Sequence, residues 1–86
     1  MTFEEFVLAL DARLQAAAPA GFGLFQGPHV AYWQRGAETA RVREGSAGDV
    51  ELTLPGDDAD DVDYGRCDQL TAERFARAIA TRFAAA

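Results

Sequence analysis

The stretch that decides the fold is Thr39–Leu54, TARVREGSAGDVELTL, in which two short alternating segments flank a polar loop. Ala40 and Val42 alternate with charged residues before the loop, and Val50 and Leu52 alternate with polar residues after it. Apolar residues at every second position are typical of strands that bury one face. The sequence therefore predicts a β-hairpin with strands over 39–44 and 49–54.

The register of this hairpin can also be predicted. If both strands bury the same face of the sheet, directly opposed residues must have numbers of equal parity. We predict that Arg43 pairs with Asp49 and that Arg41 pairs with Glu51, because both pairs then join opposite charges. This register closes a five-residue loop.

Two more strands are predicted on the N-terminal side of the hairpin. Phe22–Gln26 and Val30–Gln34 are short and apolar, and Gly27-Pro28 separates them. Arg35–Ala37 then forms a turn before the next strand. The middle of the chain is thus expected to be an antiparallel meander of three or four strands.

Amphipathic helices are predicted at both ends of the chain. Thr2 and Glu5 have the spacing of a capping box, and apolar residues recur at helical period from Phe3 to Leu14. We predict a first helix over 3–18. Thr71 is the predicted N-cap of a second helix. The buried stripe of that helix is expected to contain Ala72, Phe75, Ala76, Ile79 and Phe83.

These elements predict one α+β domain over residues 1–86, a two-layer sandwich of the order α-β-β-β(-β)-α. Both helices are expected on one face of the antiparallel meander sheet. Eighty-six residues are enough for one modest hydrophobic core.

The order of elements resembles that of the double-stranded RNA-binding domain, which runs α-β-β-β-α. That family holds phosphates with basic residues at the start of its second helix. Here the corresponding stretch reads Asp68-Gln69-Leu70-Thr71-Ala72-Glu73, and an acidic run precedes it. The resemblance therefore implies a similar topology, and duplex RNA is not an expected ligand.

The negative charge of the chain is concentrated in one segment. The net charge is −6, yet residues 49–68 contain eight acidic residues and one Arg, while the rest of the chain has six acidic residues and seven Arg. An excess of carboxylates disfavours binding to nucleic acids and anionic membranes, which both need basic side chains. No apolar run approaches the length of a membrane span, so we expect a cytoplasmic protein.

The acidic run Asp57–Asp68 does not fit a calcium loop of the EF-hand type. That loop needs oxygen ligands at positions 1, 3 and 5, Gly at 6 and Glu at 12. A frame that starts at Asp61 places Arg66 at position 6, and a frame that starts at Asp58 places Val62 at position 5. No metal or cofactor is predicted. An irregular site with weak affinity for divalent cations, a solvated loop and a protein-binding surface all remain open.

Tyr32 and Trp33 are neighbours on one predicted strand, so they should point to opposite faces. In one alternative Trp33 lies on the outer face of the sheet beside Arg side chains and anchors a partner. In the other alternative Trp33 is in the core and Tyr32 lies on the surface. The sequence does not decide between them.

The residues that could carry nucleophilic chemistry are isolated from one another in the sequence. Cys67 is the sole thiol and has acidic neighbours, which disfavour a thiolate. His29 follows a Gly-Pro turn, and Ser46 lies in a Gly-flanked loop that offers no rigid support. We therefore do not expect an enzyme.

The sequence favours a non-enzymatic acidic module that binds a larger protein with a basic surface. Small inhibitors from phages and mobile elements act on CRISPR or restriction systems in this way, because their carboxylates imitate the charge of nucleic acid. The alternative is a small bacterial adaptor or secretion-type chaperone that binds through its sheet face or as a homodimer. The predicted partner-binding residues are Asp57, Asp58, Asp60, Asp61, Asp63, Asp68, Trp33 and Tyr32.

Overall fold

The computed structural model describes residues 1–17, 21–57 and 61–84 as two helices and one five-stranded sheet. The sheet is an antiparallel meander of spatial order β1-β2-β3-β4-β5, and the predicted fold class is confirmed. None of the described helices is long and apolar enough to cross a membrane. The elements are α1 (Phe3–Ala17), β1 (Gly23–Gln26), β2 (Val30–Arg35), β3 (Glu38–Glu44), β4 (Asp49–Thr53), β5 (Asp63–Arg66) and α2 (Gln69–Ala84).

One hydrophobic core lies between the sheet and the two helices. The strands contribute the side chains of alternate residues, which are buried against the apolar stripes of α1 and α2. The rings of Phe6 and Phe75 join the two helices edge to face, with their centroids 5.9 Å apart. The largest fully buried side chains are Trp33, Phe6, Phe75, Leu10, Leu14, Leu52, Ile79, Val7, Val42 and Val50.

The two helices begin with different caps. The backbone N–H of Thr2 donates to Glu5, and the backbone N–H of Glu5 donates to the Thr2 hydroxyl at 3.1 Å, so the predicted capping box of α1 is confirmed. The prediction for α2 is wrong, because Asp68 and not Thr71 is the N-cap. The Asp68 carboxylate accepts a hydrogen bond of 2.8 Å from the Thr71 backbone N–H. The predicted end of α1 at Ala18 lies outside the described residues.

In the β3–β4 hairpin the predicted residues face the core. The pairing of the two strands, however, is displaced by two residues from the predicted register. Val42 lies opposite Leu52, and Val42 and Val50 share the buried face, as the parity rule requires. Arg43, however, lies opposite Glu51 and not Asp49. The cause is the tight 3₁₀ turn Ser46–Gly48, which lets β4 begin pairing one residue later and β3 continue one residue further.

A fifth strand, β5, which was not predicted, lies within the acidic run Asp57–Asp68. It pairs with β4 and has the sequence DYGR, which lacks an apolar alternation. Gly65 occupies one of its two helix-facing positions. A Cβ atom there would lie 2.9 Å from the Thr71 hydroxyl oxygen and 2.8 Å from a guanidinium nitrogen of Arg74. This strand therefore approaches α2 so closely that only glycine fits without movement.

Candidate protein-binding surface

Trp33 belongs to the core, so the alternative in which it is an exposed anchor is wrong. Its side chain has no exposed area, and its indole N–H donates to Asp11 of α1 at 3.1 Å. The strand register explains the placement, because Trp33 pairs with Ala40, which faces the helices as well. Tyr32 consequently points the other way and is 38% exposed.

The face of the sheet that points away from the helices, here called the open face, carries aromatic and charged side chains. Successive side chains of a strand point to opposite faces of the sheet. The residues that alternate with the buried ones therefore lie on the open face, and the register aligns them from strand to strand. Its larger side chains are Phe25, Val30, Tyr32, Gln34, Arg41, Arg43, Glu51, Tyr64 and Arg66.

Three of these side chains form a row across neighbouring strands, here called the aromatic row. Phe25 of β1 lies opposite Tyr32 of β2, and Tyr32 lies opposite Arg41 of β3. Phe25 is 59% exposed, and Arg41 is exposed as well. Cross-strand neighbours have Cβ atoms about 5 Å apart, so the row presents two rings and a guanidinium as one patch.

The charges of the open face are close to balanced. Arg43 and Glu51 form an ion pair of 3.0 Å across the β3–β4 register, and Arg66 lies opposite Asp49. Within residues 1–17, 21–57 and 61–84, Arg41 makes neither an ion pair nor a side-chain hydrogen bond. The aromatic row therefore ends in a cation that is available to an acidic group of a partner.

The predicted acidic surface is in part used for intramolecular bonds. Asp57 is half-buried and accepts a hydrogen bond of 2.9 Å from Arg82 of α2. Arg82 also donates to the carbonyl of Pro55 at 2.7 Å. This pair attaches the chain after β4 to the second helix, which is a structural role for Asp57.

Asp63 and Asp68 also have partners within the fold. Asp63 lies 3.4 Å from the Nε atom of Arg74, on the side of β5 that faces α2. Asp68 caps α2, and its hydrogen bonds with the backbone and side chain of Thr71 lower the pKa of its carboxyl group. Both carboxylates remain exposed to solvent on their other sides.

The remaining predicted acidic residues are divided between described and undescribed parts of the chain. Asp61 is exposed. Asp58 and Asp60 lie outside the described residues. Of the four predicted aspartates that the structure describes, three are therefore engaged by Arg82, Arg74 or the N-terminus of α2, and Asp61 makes no ion pair within the described residues.

A shallow groove of about 410 Å³ lies between Leu54 and the outer side of α2. Arg74, Arg77 and Arg82 form its rim, and each of them has an acidic partner. The groove is therefore electrically compensated, and it has no unpaired cation with which to hold an anionic ligand.

Cys67 and His29 each have a hydrogen-bond partner of their own. The Cys67 thiol is half-buried and donates to the carbonyl of Thr2 at 3.4 Å, and burial raises its pKa. The His29 Nδ1 atom lies 2.8 Å from a carboxylate oxygen of Glu44. In the described part of the chain, no group of three or more His, Cys, Asp or Glu side chains could hold a metal ion.

Phe25 and Tyr64 were not among the predicted binding residues, although both are strongly exposed on the open face. A signal for Phe25 was present, because Leu24 and Phe25 are adjacent apolar residues on one strand and only one of them can face the core. Tyr64 gave no such signal, since β5 itself was not predicted.

Comparison of the chain with protein-family models gives no match, and searches among curated proteins and solved structures likewise return no match.

Proposed function

We propose that this protein is a non-enzymatic protein-binding module and that the aromatic row of the open face is its binding surface. The observation that carries the proposal is the alignment of Phe25, Tyr32 and Arg41 in one row of the sheet, with all three side chains exposed. Tyr and Arg are the residue types that contribute most to binding at protein interfaces, and an exposed Phe adds apolar area beside them.

The composition of the row indicates the chemistry of the partner. Burying the rings of Phe25 and Tyr32 requires an apolar surface on the partner, and Arg41 requires a carboxylate or a backbone carbonyl. The paired strands fix the backbone positions of these residues before binding, which lowers the entropy that binding costs. A partner with a small apolar patch and an acidic residue at its margin fits this surface.

The test is a quantitative pull-down from the native host with three variants of the chain. Tyr32→Ala and Arg41→Glu change the aromatic row, while Asp61→Lys changes an exposed residue of the acidic segment. We expect the row variants to reduce recovery of the partner at least tenfold, since interface residues of these types contribute about 2 kcal/mol each. Asp61→Lys should leave recovery unchanged. If the row variants recover the partner normally, the proposal fails.

A second candidate function rests on a different observation, the segregation of charge. Residues 49–68 carry eight acidic side chains and one Arg, and Asp61 is exposed beside this segment's strand. We infer from this that the segment could occupy a basic nucleic-acid-binding surface of a larger protein, as an inhibitor of the mobile-element type does. Electrostatic steering would then dominate the encounter.

The same variants separate the two candidates. An acidic-segment interface loses its partner when Asp61 becomes Lys, and its affinity falls steeply between low salt and about 0.5 M salt because screening shortens the range of the charges. Binding through the aromatic row has one ionic contact, through Arg41, so its salt dependence is shallow. Asp57 and Asp68 are unsuitable for this comparison, because changing them removes bonds that stabilise the fold.

A further inference from the structure

The two edges of the sheet differ in whether their outward backbone groups have partners. On the β1 edge, the Gly27 N–H donates to the Val30 carbonyl of β2 at 2.8 Å. Hydrogen-bonded and non-hydrogen-bonded positions alternate along an antiparallel pair, so Phe25 is also bonded to β2. Leu24 and Gln26 therefore direct their N–H and C=O groups away from the sheet. No residue of the described ranges accepts from or donates to these groups.

The β5 edge is closed by contacts within the chain. By the same alternation, Tyr64 and Arg66 point their backbone groups outward from β5. The carbonyl of Tyr64 accepts a hydrogen bond from the guanidinium of Arg74. The carbonyl of Arg66 accepts one of 2.9 Å from the N–H of Asp68. These bonds remove acceptors that an added strand would need.

The two edge strands also differ in their charged residues. β1 and its flanks, Gly21–Gly27, contain no charged residue and no proline. β5 contains Asp63 and Arg66, and Asp61 precedes it. Charges and prolines are the usual protection of an edge strand against pairing with another chain, so only the β5 edge is protected.

The distribution of charge favours a second copy of this chain as the occupant of the β1 edge. Among the acidic residues of the segment 49–68, Asp49 and Glu51 lie on β4 and Asp63 lies on β5, at the far side of the sheet from β1. Strands are spaced by about 4.8 Å, so pairing two copies through β1 separates the two β5 strands by roughly 43 Å. This is several times the Debye length of about 8 Å at physiological salt, and the acidic segments do not repel each other there.

We propose that two copies of this protein pair through antiparallel β1 strands and form one continuous ten-stranded sheet. The outward backbone groups of Leu24 in each copy bond to those of Gln26 in the other copy, which makes four hydrogen bonds. The two-fold axis then passes beside Phe25, and the two Phe25 rings meet on the open face as a non-hydrogen-bonded pair, in which side chains approach most closely. This interface covers part of the Phe25 ring, which is 59% exposed in one copy.

The test compares two substitutions at one position. Gln26→Pro removes the outward N–H without removing a bond to β2, whereas Gln26→Ala keeps the N–H and serves as the matched control. Sedimentation equilibrium up to about 1 mM protein suits an interface of this small size. We expect the dimer dissociation constant to rise at least tenfold for Gln26→Pro, because two hydrogen bonds are lost for each dimer, and less than about threefold for Gln26→Ala.

A second pair of variants uses charge at the two edges. Phe25→Lys places two cations opposite each other at the proposed axis and should abolish the dimer. Tyr64→Lys changes an equally exposed aromatic residue on β5 and should leave the dimer intact. Circular dichroism establishes that each variant is folded.

Hydrogen exchange of the unmodified protein tests the interface without any substitution. The amides of Leu24 and Gln26 should exchange more slowly as the protein concentration rises, whereas those of Tyr64 and Arg66 should not. A monomer at every concentration overturns the proposal, and so does a dimer whose protection lies elsewhere or that tolerates Gln26→Pro. Phe25 belongs to both the dimer interface and the aromatic row, but the two proposals can fail separately, because Arg41→Glu is expected to reduce partner binding without changing the dimer.

Discussion

The indole Nε1 atom of Trp33 donates a hydrogen bond to a carboxylate oxygen of Asp11 at 3.1 Å, which links the second strand to the first helix. The indole is completely buried, so its N–H has no access to water and depends on this one acceptor. Asp11 in turn lies within 3.4 Å of the Gln15 side-chain amide, one turn further along α1. The position of α1 on the sheet is thus fixed by a directional bond as well as by apolar packing.

Removing this acceptor should destabilise the fold. We expect Asp11→Ala to lower the free energy of unfolding by about 1–3 kcal/mol, because the buried indole N–H loses its partner. Asp11→Asn retains an acceptor oxygen and should lose less than half as much. Urea denaturation monitored by tryptophan fluorescence measures both values. Equal losses for the two variants would show that the hydrogen bond is not the cause.

The close approach of β5 to α2 predicts a second effect. Gly65→Ala should destabilise the protein by about 1–3 kcal/mol, because its Cβ must displace Thr71 or Arg74. Gly23→Ala is the matched control, since its Cβ would make only ordinary contacts, at 3.7 Å from the Phe25 ring. Thermal unfolding of both variants distinguishes crowding at β5 from the general effect of replacing a strand glycine. Similar melting temperatures for the two variants would contradict this account.

The cap of α2 makes stability depend on pH. The pKa of Asp68 is lowered in the folded protein by its hydrogen bonds with Thr71, so its contribution is fully present above the unfolded pKa of about 4. The contribution is lost as pH falls through the lower, folded pKa. We expect the Tm of Asp68→Ala to lie about 5 °C below that of the unmodified protein at pH 7. Near pH 2 the two Tm values should be close to equal. A difference that stays constant with pH would exclude the charged cap as its source.

The ion pair between Asp57 and Arg82 should contribute to stability and not to partner binding. Arg82→Ala removes both this pair and the hydrogen bond to Pro55, and we expect a loss of about 1–2 kcal/mol. Arg77→Ala is the control, because the partner of Arg77 within the described residues is Glu73 at an exposed helical i, i+4 position, where such a pair contributes about 0.3–0.5 kcal/mol. Equal losses in chemical denaturation would show that the anchoring of residues 54–57 to α2 is unimportant.

Much of the fold could be predicted from the spacing of apolar and capping residues, because each spacing is typical of one kind of secondary structure. Helical periodicity and the Thr2–Glu5 spacing located α1, and period-two alternation located β3 and β4. The buried face of the β3–β4 hairpin was also predictable, because Val42, Val50 and Leu52 have to meet. The exact register was not, because a shift of two residues preserves every face and also places Arg43 beside an acidic residue.

The open face could not be predicted, for reasons that lie in particular residues. Tyr32 and Trp33 are both large aromatic residues with β propensity, so alternation alone does not say which is buried. The choice depends on Asp11, twenty-two residues away, which satisfies the indole. β5 was not predicted because neither of its helix-facing residues is a large apolar one. Asp63 pairs with Arg74, and Gly65 has no side chain, so the strand shows no apolar alternation.

The strand order has a consequence for how the chain folds. Each strand of the meander pairs only with the strand before or after it in the sequence, so β1 to β4 can assemble from successive hairpins whose loops are short. Closing a short loop costs little chain entropy, and proteins with such local pairings fold quickly. The contact between α1 and α2, which joins residues such as Phe6 and Phe75, is the long-range step. We therefore expect folding within milliseconds, with the docking of the two helices, and not the pairing of strands, limiting the rate.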